Sequence, residues 1–268
     1  MLPVMASRAG ARTAGELLCQ GNPLGTAVGQ LPAARRVLVL APHPDDEILG
    51  CGGTLVRYLA AGSAVAIVYL TDGEHGENDP QAPARRREAE AVGARLTGCE
   101  QSFWALPDGS LCERQAEVVE RLTAELVRFS PDLVFLPWFL DRHPDHRTTA
   151  RAAVAAAAAR RSPPCFAAYE GLASVPANHA VDITARVERK RELLALYASQ
   201  QRRYPLDAVW ALHRWRAQLQ RRPRLLAAEA FHIATRDSFV ALADRLFAPP
   251  PGPRRKPVAN RTRPREEG

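Results

Sequence analysis

At 268 residues, with 46% hydrophobic and 24% charged side chains, the chain can bury one large core and is too apolar to be a disordered protein. No run approaches the roughly 20 apolar residues of a membrane span, which excludes a membrane-spanning helix. The formal net charge is +7, and much of the excess lies in the closing segment PPPGPRRKPVANRTRPREEG, so basicity alone does not make the folded part a nucleic-acid binder.

Residues 1–34 read as a loosely structured leader, broken by Gly and Pro and lacking the apolar run of a signal peptide. Residues 37–41, VLVLA, form a short apolar run stopped by Pro42, the pattern of a buried strand. Helical spacing follows over 50–61, ending near Gly62. Residues 64–70 are a second buried strand, leading into the polar loop TDGEHGENDP. A charged helix is expected over 83–97, closed by Gly98. A strand over 102–106 ends at the turn Pro107-Asp108-Gly109. An amphipathic helix over 112–129 should face Val118, Val119, Leu122, Leu126 and Val127 inward.

Residues 133–136 form the next strand, and the alanine-rich stretch 147–160 a helix of high intrinsic propensity. Further helices are expected over 184–199 and 207–220, with Trp210 and Trp215 packing on the second. Alternating apolar strands and helices predict an α/β fold: a Rossmann-like, doubly wound, mostly parallel sheet with helices on both faces. The expected organisation is one domain over 35–247 and a basic, Pro-rich disordered tail over 248–268. That tail lacks interleaved aromatics, so a solubilising role is favoured over contact with nucleic acid or anionic lipid.

The five cysteines are scattered with no Cys-x-x-Cys pair. This argues against a disulfide framework and a zinc ribbon, and it favours a cytoplasmic protein. Any bound metal must then be held by His and carboxylates.

Such residues stand where this fold places ligands, beyond the C-terminal ends of strands. The first strand runs into Pro42-His43-Pro44-Asp45-Asp46-Glu47, and the strand at 133–136 leads to His143-Pro144-Asp145-His146. Either cluster alone has an ordinary reading, as a hydrogen-bonded histidine or, for Asp45 or Asp46, a helix N-cap. Two clusters about a hundred residues apart, opening on one edge of a sheet, point instead to a catalytic zinc site with an open position.

The motifs PHPDDE and HPDH resemble those of the PIG-L/LmbE family of zinc-dependent N-acetylglucosamine-type deacetylases. TDGE, RREAE at 86–90, LPDG at 106–109, the DIT…K…YASQ segment at 182–200 and EAF at 229–231 extend the resemblance over about 36–235. Two positions depart from it: Pro42 stands where Ala is common, and Tyr197 where His is common, the latter bearing on the substrate pocket. The resemblance implies metal ligation by His43, Asp46 and His146, with Asp45 as general base. In that chemistry His143 stabilises an oxyanion or protonates the leaving amine, with Asp145 orienting it or tuning its pKa. A helix cap is the competing role for Asp145. The resemblance also implies a substrate-binding role for Arg87, against a solvated arginine in an Arg-Arg-Arg run. Asp108 is a candidate for a sugar hydroxyl, against a plain Pro-Asp-Gly turn. Glu74 is a candidate lining residue of the crevice, and Glu47 a support for a ligand.

The expected reaction is hydrolysis of the amide of an N-acetylated sugar conjugate by activated water. Zn2+ is the expected ion, with Fe2+ or another divalent ion as alternatives. A Rossmann-like nucleotide-binding module is the competing reading, prompted by Gly50-Cys51-Gly52-Gly53, though that spacing is not G-x-G-x-x-G. No membrane span and no specific nucleic-acid partner are expected, and nothing in the sequence sets the oligomeric state.

Overall fold

Strand and helix alternate from Arg36 onward because short β-branched and leucine runs are each followed by a stripe of apolar residues at helical spacing. The computed structural model describes residues 31–73, 82–200 and 206–247. The expected leader (except 31–34), the loop carrying Glu74 and His75, and the tail lie outside the described residues. The elements are β1 (Arg36–Ala41), α1 (Asp46–Ala60), β2 (Ala64–Thr71), α2 (Ala82–Arg95), β3 (Cys99–Leu106), α3 (Gln115–Phe129), β4 (Leu133–Pro137) and α4 (Pro144–Ala156). There follow β5 (Cys165–Tyr169), β6 (His179–Asp182), α5 (Val187–Ala195), α6 (Leu206–Gln218), β7 (Ala228–Thr235) and α7 (Arg236–Phe247).

The seven strands among the described residues lie in the order β3-β2-β1-β4-β5-β7-β6. The first five are parallel, and β7 pairs antiparallel with both β5 and β6. Alternate residues of the buried strands feed two cores. Leu38 and Leu40 pack with Leu122 and Leu126 of α3 and Ala153 of α4, whereas Val37 and Val39 pack with Leu55 of α1, Val92 of α2 and Leu193 of α5. Helices therefore cover both faces, as expected for a doubly wound α/β sheet. The antiparallel edge is the departure, and β5, β6 and β7 have no counterpart among the strands read from sequence.

Two inward assignments are corrected. Val127 is 63% exposed and Trp215 52% exposed, each on the outer side of an otherwise packed helix. Trp210 does pack against the core. Both loop-to-helix junctions also begin earlier than expected: α1 at Asp46 and α4 at Pro144. The acidic and histidine motifs thus occupy first helical turns. No helix among the described residues is long and apolar enough to cross a membrane.

The glycines at 50–53 are packing residues. A Cβ on Gly50 would strike the Tyr169 ring, and one on Gly53 would strike Ile183. They let α1 lie close on the sheet and leave no open phosphate-cradling loop.

Candidate metal centre

β1 and β4 are parallel neighbours, with Val39 opposite Phe135. The chain leaves β1 toward one side of the sheet and β4 toward the other, so the crevice between their C-terminal ends is the topological switch point. Residues 42–46 leave one strand and residues 138–146 leave the other. The first loop is tied down by Thr71, whose backbone N–H and hydroxyl both donate to Pro42 O, at 2.9 and 2.8 Å.

The three residues expected to be ligands approach one another there. Asp46 Oδ2 lies 3.2 Å from His43 Nδ1 and 3.3 Å from His146 Nε2. Four donors held tetrahedrally at ~2.0–2.1 Å from zinc stand ~3.3–3.4 Å apart, so each of these two separations matches a ligand pair on one ion, whereas the groups whose ligand atoms all lie within 4.8 Å are His43-His143-His146 and His43-Asp108-Asp145. Each histidine is backed by a carboxylate on its other nitrogen. His43 Nε2 lies 2.9 Å from Asp108 Oδ1 and 3.3 Å from Asp145 Oδ2 in hydrogen-bonding geometry, whereas His146 Nδ1 lies 3.3 Å from Asp141 Oδ1 as an electrostatic contact without a hydrogen bond. A carboxylate behind an imidazole fixes its tautomer and ring orientation and raises its basicity, as in histidine–metal sites. His143 completes a triad of imidazoles with ring nitrogens within 4.8 Å of one another. The donors present therefore fit a borderline-soft divalent ion.

The electrostatics agree. Burial lowers the His43 pKa, but bonds to Asp108, Asp145 and Asp46 outweigh it and leave the ring well above its ordinary value. His146 is likewise lowered by burial, then raised by the Asp46 charge and by Asp141, ending at about 9. Burial raises Asp46, but the His146 and His43 charges bring it well below the usual carboxylate range. The cluster attracts positive charge, which protons supply in the absence of an ion and a divalent cation would supply in its presence.

Asp45 is separated from Asp46 by its backbone. It takes φ 123°, a region that L-residues rarely adopt, and this turns the adjacent carboxylates to different surroundings. Its N–H donates to Glu47 Oε2 at 3.1 Å, and its carbonyl accepts from Ile48 N and Leu49 N at 3.1 and 2.9 Å. Asp45 does not cap α1 with its side chain, and its Oδ2 is buried without a hydrogen-bond partner. Burial and then the Asp46 charge push its carboxyl well above the ordinary value. Glu47 is fully buried, its other oxygen accepting from the Tyr197 hydroxyl. Burial raises the Glu47 carboxyl to about 7. Tyr197 thus lies beneath the loop, supporting Glu47, where the sequence comparison had tied it to the substrate pocket.

Other expected residues are placed differently from their reading. Asp145 does not orient the His143 ring through its carboxylate. Its Oδ2 accepts from Gly109 N at 2.7 Å and its Oδ1 from Leu111 N at 3.1 Å, tying the 106–109 turn to His43. The link to His143 is through the backbone: His143 is the N-cap of α4, its Nδ1 accepting from Asp145 N at 3.2 Å. Asp108, expected to meet a sugar, carries one oxygen to His43 and the other to within 3.8 Å of Arg85 Nη1.

Arg87 is exposed. The arginine at the site is Arg85, 4% exposed, with its guanidinium donating to Gly73 O and to Pro44 O. It shares the inward stripe of α2 with Ala89 and Val92, a phase legible in the sequence. Glu88 anchors Ser199, whose N–H and hydroxyl donate to it at 2.9 and 2.6 Å. Two residues were missed altogether. Asp141 backs His146 and also accepts from His143 N at 2.9 Å and Leu172 N at 2.9 Å. Gly171 packs so close that a Cβ there would lie 3.0 Å from Asp141 Oδ2 and 3.2 Å from His146 Nδ1.

Fold and cluster together define an α/β protein with a histidine–carboxylate cation site at the switch point of its sheet. The family model described as PIG-L, GlcNAc-PI de-N-acetylase, matches residues 38–157. The crystal structure of the conserved protein TT1542 from Thermus thermophilus is 32% identical, with TM-score 0.63, covering 73% of this chain and 93% of that one. The N,N'-diacetylchitobiose deacetylase from Pyrococcus horikoshii is 25% identical, with TM-score 0.62, covering 76% and 85%. Among curated proteins, a 1D-myo-inositol 2-acetamido-2-deoxy-alpha-D-glucopyranoside deacetylase of Streptomyces griseus is 29% identical over 46% of this chain and 49% of its own length. The chain thus spans about half the length of that curated relative. It belongs to the PIG-L family.

Proposed function

We propose that this protein is a metal-dependent hydrolase that removes the acetyl group from an N-acetylated amino sugar or its conjugate. His43, Asp46 and His146 hold the ion, and zinc is the ion that suits them. The observation that carries this reading is the placement of Asp46 Oδ2 between one nitrogen of His43 and one of His146, with a carboxylate behind each ring. Relatives named as deacetylases of acetamido sugars support the substrate class.

An amide resists hydrolysis because its carbonyl is weakly electrophilic and water a poor nucleophile. A zinc ion in this site would polarise the carbonyl and lower the pKa of water from 15.7 toward ~7. Asp45 takes the proton of the attacking water. Its carboxyl is raised by burial and by Asp46, so it is a better proton acceptor than an ordinary aspartate. His143, half-buried and on the same crevice, stabilises the developing oxyanion or returns a proton to the leaving amine. The side chains of Arg85 and Asp108, both buried, act from behind His43, holding the 42–46 loop and the 106–109 turn in place. The free cysteines of the described residues, none of them paired, go with a reducing compartment and support a cytoplasmic enzyme.

The test is metal analysis of the purified protein followed by a screen of N-acetylated sugars. Bound divalent metal with release of acetate and free amine is expected. Metal-free protein that hydrolyses no member would contradict the reading.

A further inference from the structure

Beside the metal centre lies a cavity of about 70 Å³ whose lining includes Asp46 together with Leu49, Leu172, Val209, Leu212 and Ala230. Its polar neighbours are largely engaged, although His213 Nδ1 is buried without a hydrogen-bond partner. Glu170 is ion-paired with Arg216, and His213 Nε2 faces Lys190 Nζ at 2.8 Å. What remains for a ligand is mainly apolar surface.

Two of the lining residues are tied to the metal centre. Leu49 and Asp46 share the first turn of α1, and Leu172 N donates to the Asp141 carboxylate that backs His146. Polar groups gather instead around His43: Asp108 at 2.9 Å, and the His143 ring at 4.5 Å between centroids. An amide held at the ion has two substituents, a polar sugar on nitrogen and an acyl chain on carbon. The two environments differ in the same way.

We infer that this cavity is an acyl pocket, and that the enzyme accepts N-acyl groups longer than acetyl, up to about butyryl. The inference rests on the hydrolytic reading above. A volume of 70 Å³ equals roughly two waters at ~30 Å³ each, the room needed for one or two added methylenes. Each methylene buried contributes about fourfold in kcat/KM.

The experiment compares kcat/KM for N-acetyl-, N-propionyl-, N-butyryl- and N-hexanoylglucosamine. The propionyl and butyryl sugars are expected to match or exceed the acetyl sugar, and the hexanoyl sugar to fall below them. Leu212→Trp, and Leu172→Trp at a 40% exposed position where folding is least at risk, should each lower the butyryl-to-acetyl ratio at least tenfold. Calorimetry with the Asp45→Asn protein gives a second readout, in which the butyryl sugar binds more tightly than the acetyl sugar. A wild-type profile that falls tenfold from acetyl to butyryl, or tryptophan variants that leave the ratio unchanged, overturns the acyl pocket while leaving the deacetylase standing. Failure to hydrolyse any of the four overturns the hydrolytic reading, and the pocket with it.

Discussion

Lys190 Nζ donates to Glu229 Oε1 at 2.7 Å, and the pair, both fully enclosed, sits against a break in the helix that carries Asp46. Cys51 has non-helical φ −146° within α1. Around the break, Gly53 N and Thr54 N donate to the two Glu229 oxygens, both at 2.8 Å, and Leu49 O accepts from Lys190 at 2.8 Å. The ion pair therefore takes up backbone groups near the break. This lets the first turn of α1 meet the crevice at its own angle.

Lys190→Met should cost about 3–5 kcal/mol in urea unfolding, because it leaves a buried carboxylate without its cation. An isolated buried pair is often replaceable by apolar residues, but this one also satisfies backbone groups. The double variant Lys190→Met/Glu229→Leu should therefore recover little, since each orphaned group costs about 1–3 kcal/mol. Wild-type stability in the double variant would show that the helix closes its own break.

Glu47 should act through Asp45. Its bond to the Asp45 N–H holds a residue at φ 123°, so Glu47→Ala should lower kcat about 10- to 100-fold, with KM within about threefold and metal content unchanged. Glu47→Gln, which keeps an accepting oxygen, should retain more activity. In an Asp45→Ala background, Glu47→Ala should add nothing. A further loss there would assign Glu47 a separate role.

His213 gives a pH dependence of stability. Burial and then the Lys190 charge hold its pKa well below 6.5 in the folded protein. The unfolded chain takes up the proton first, so the stability from this group is present above about pH 6.5 and lost as pH falls below it. His213→Gln should flatten the decline in unfolding free energy between pH 6.5 and 5. An unchanged slope would assign that decline to other groups.

The central sheet and the two clusters are legible in the sequence because both are local: apolar runs ended by Pro42 and Pro137, then His and Asp at short spacing. The motif resemblance already assigns Asp45 and Asp46 different tasks, and the backbone turn at Asp45 supplies the physical reason for their different surroundings. Arg85 could have been told from Arg87 by extending the apolar stripe of α2 back from Val92 and Ala89. Asp141 and Gly171 gave no such signal, since their contacts with His146 depend on how two loops meet. The strand β7 hides because Glu229 interrupts it, and the lysine that neutralises that glutamate lies on a different element.

Metal content and acetate release measured together on Asp45→Ala test the account most directly. The variant and the wild type should each hold about one divalent ion per chain, while acetate release by the variant falls about 10²- to 10⁴-fold. Asp46→Ala, measured alongside, should lose the ion. Full hydrolysis by Asp45→Ala, or loss of its metal, would contradict the assignment of Asp46 to the ion and Asp45 to the water.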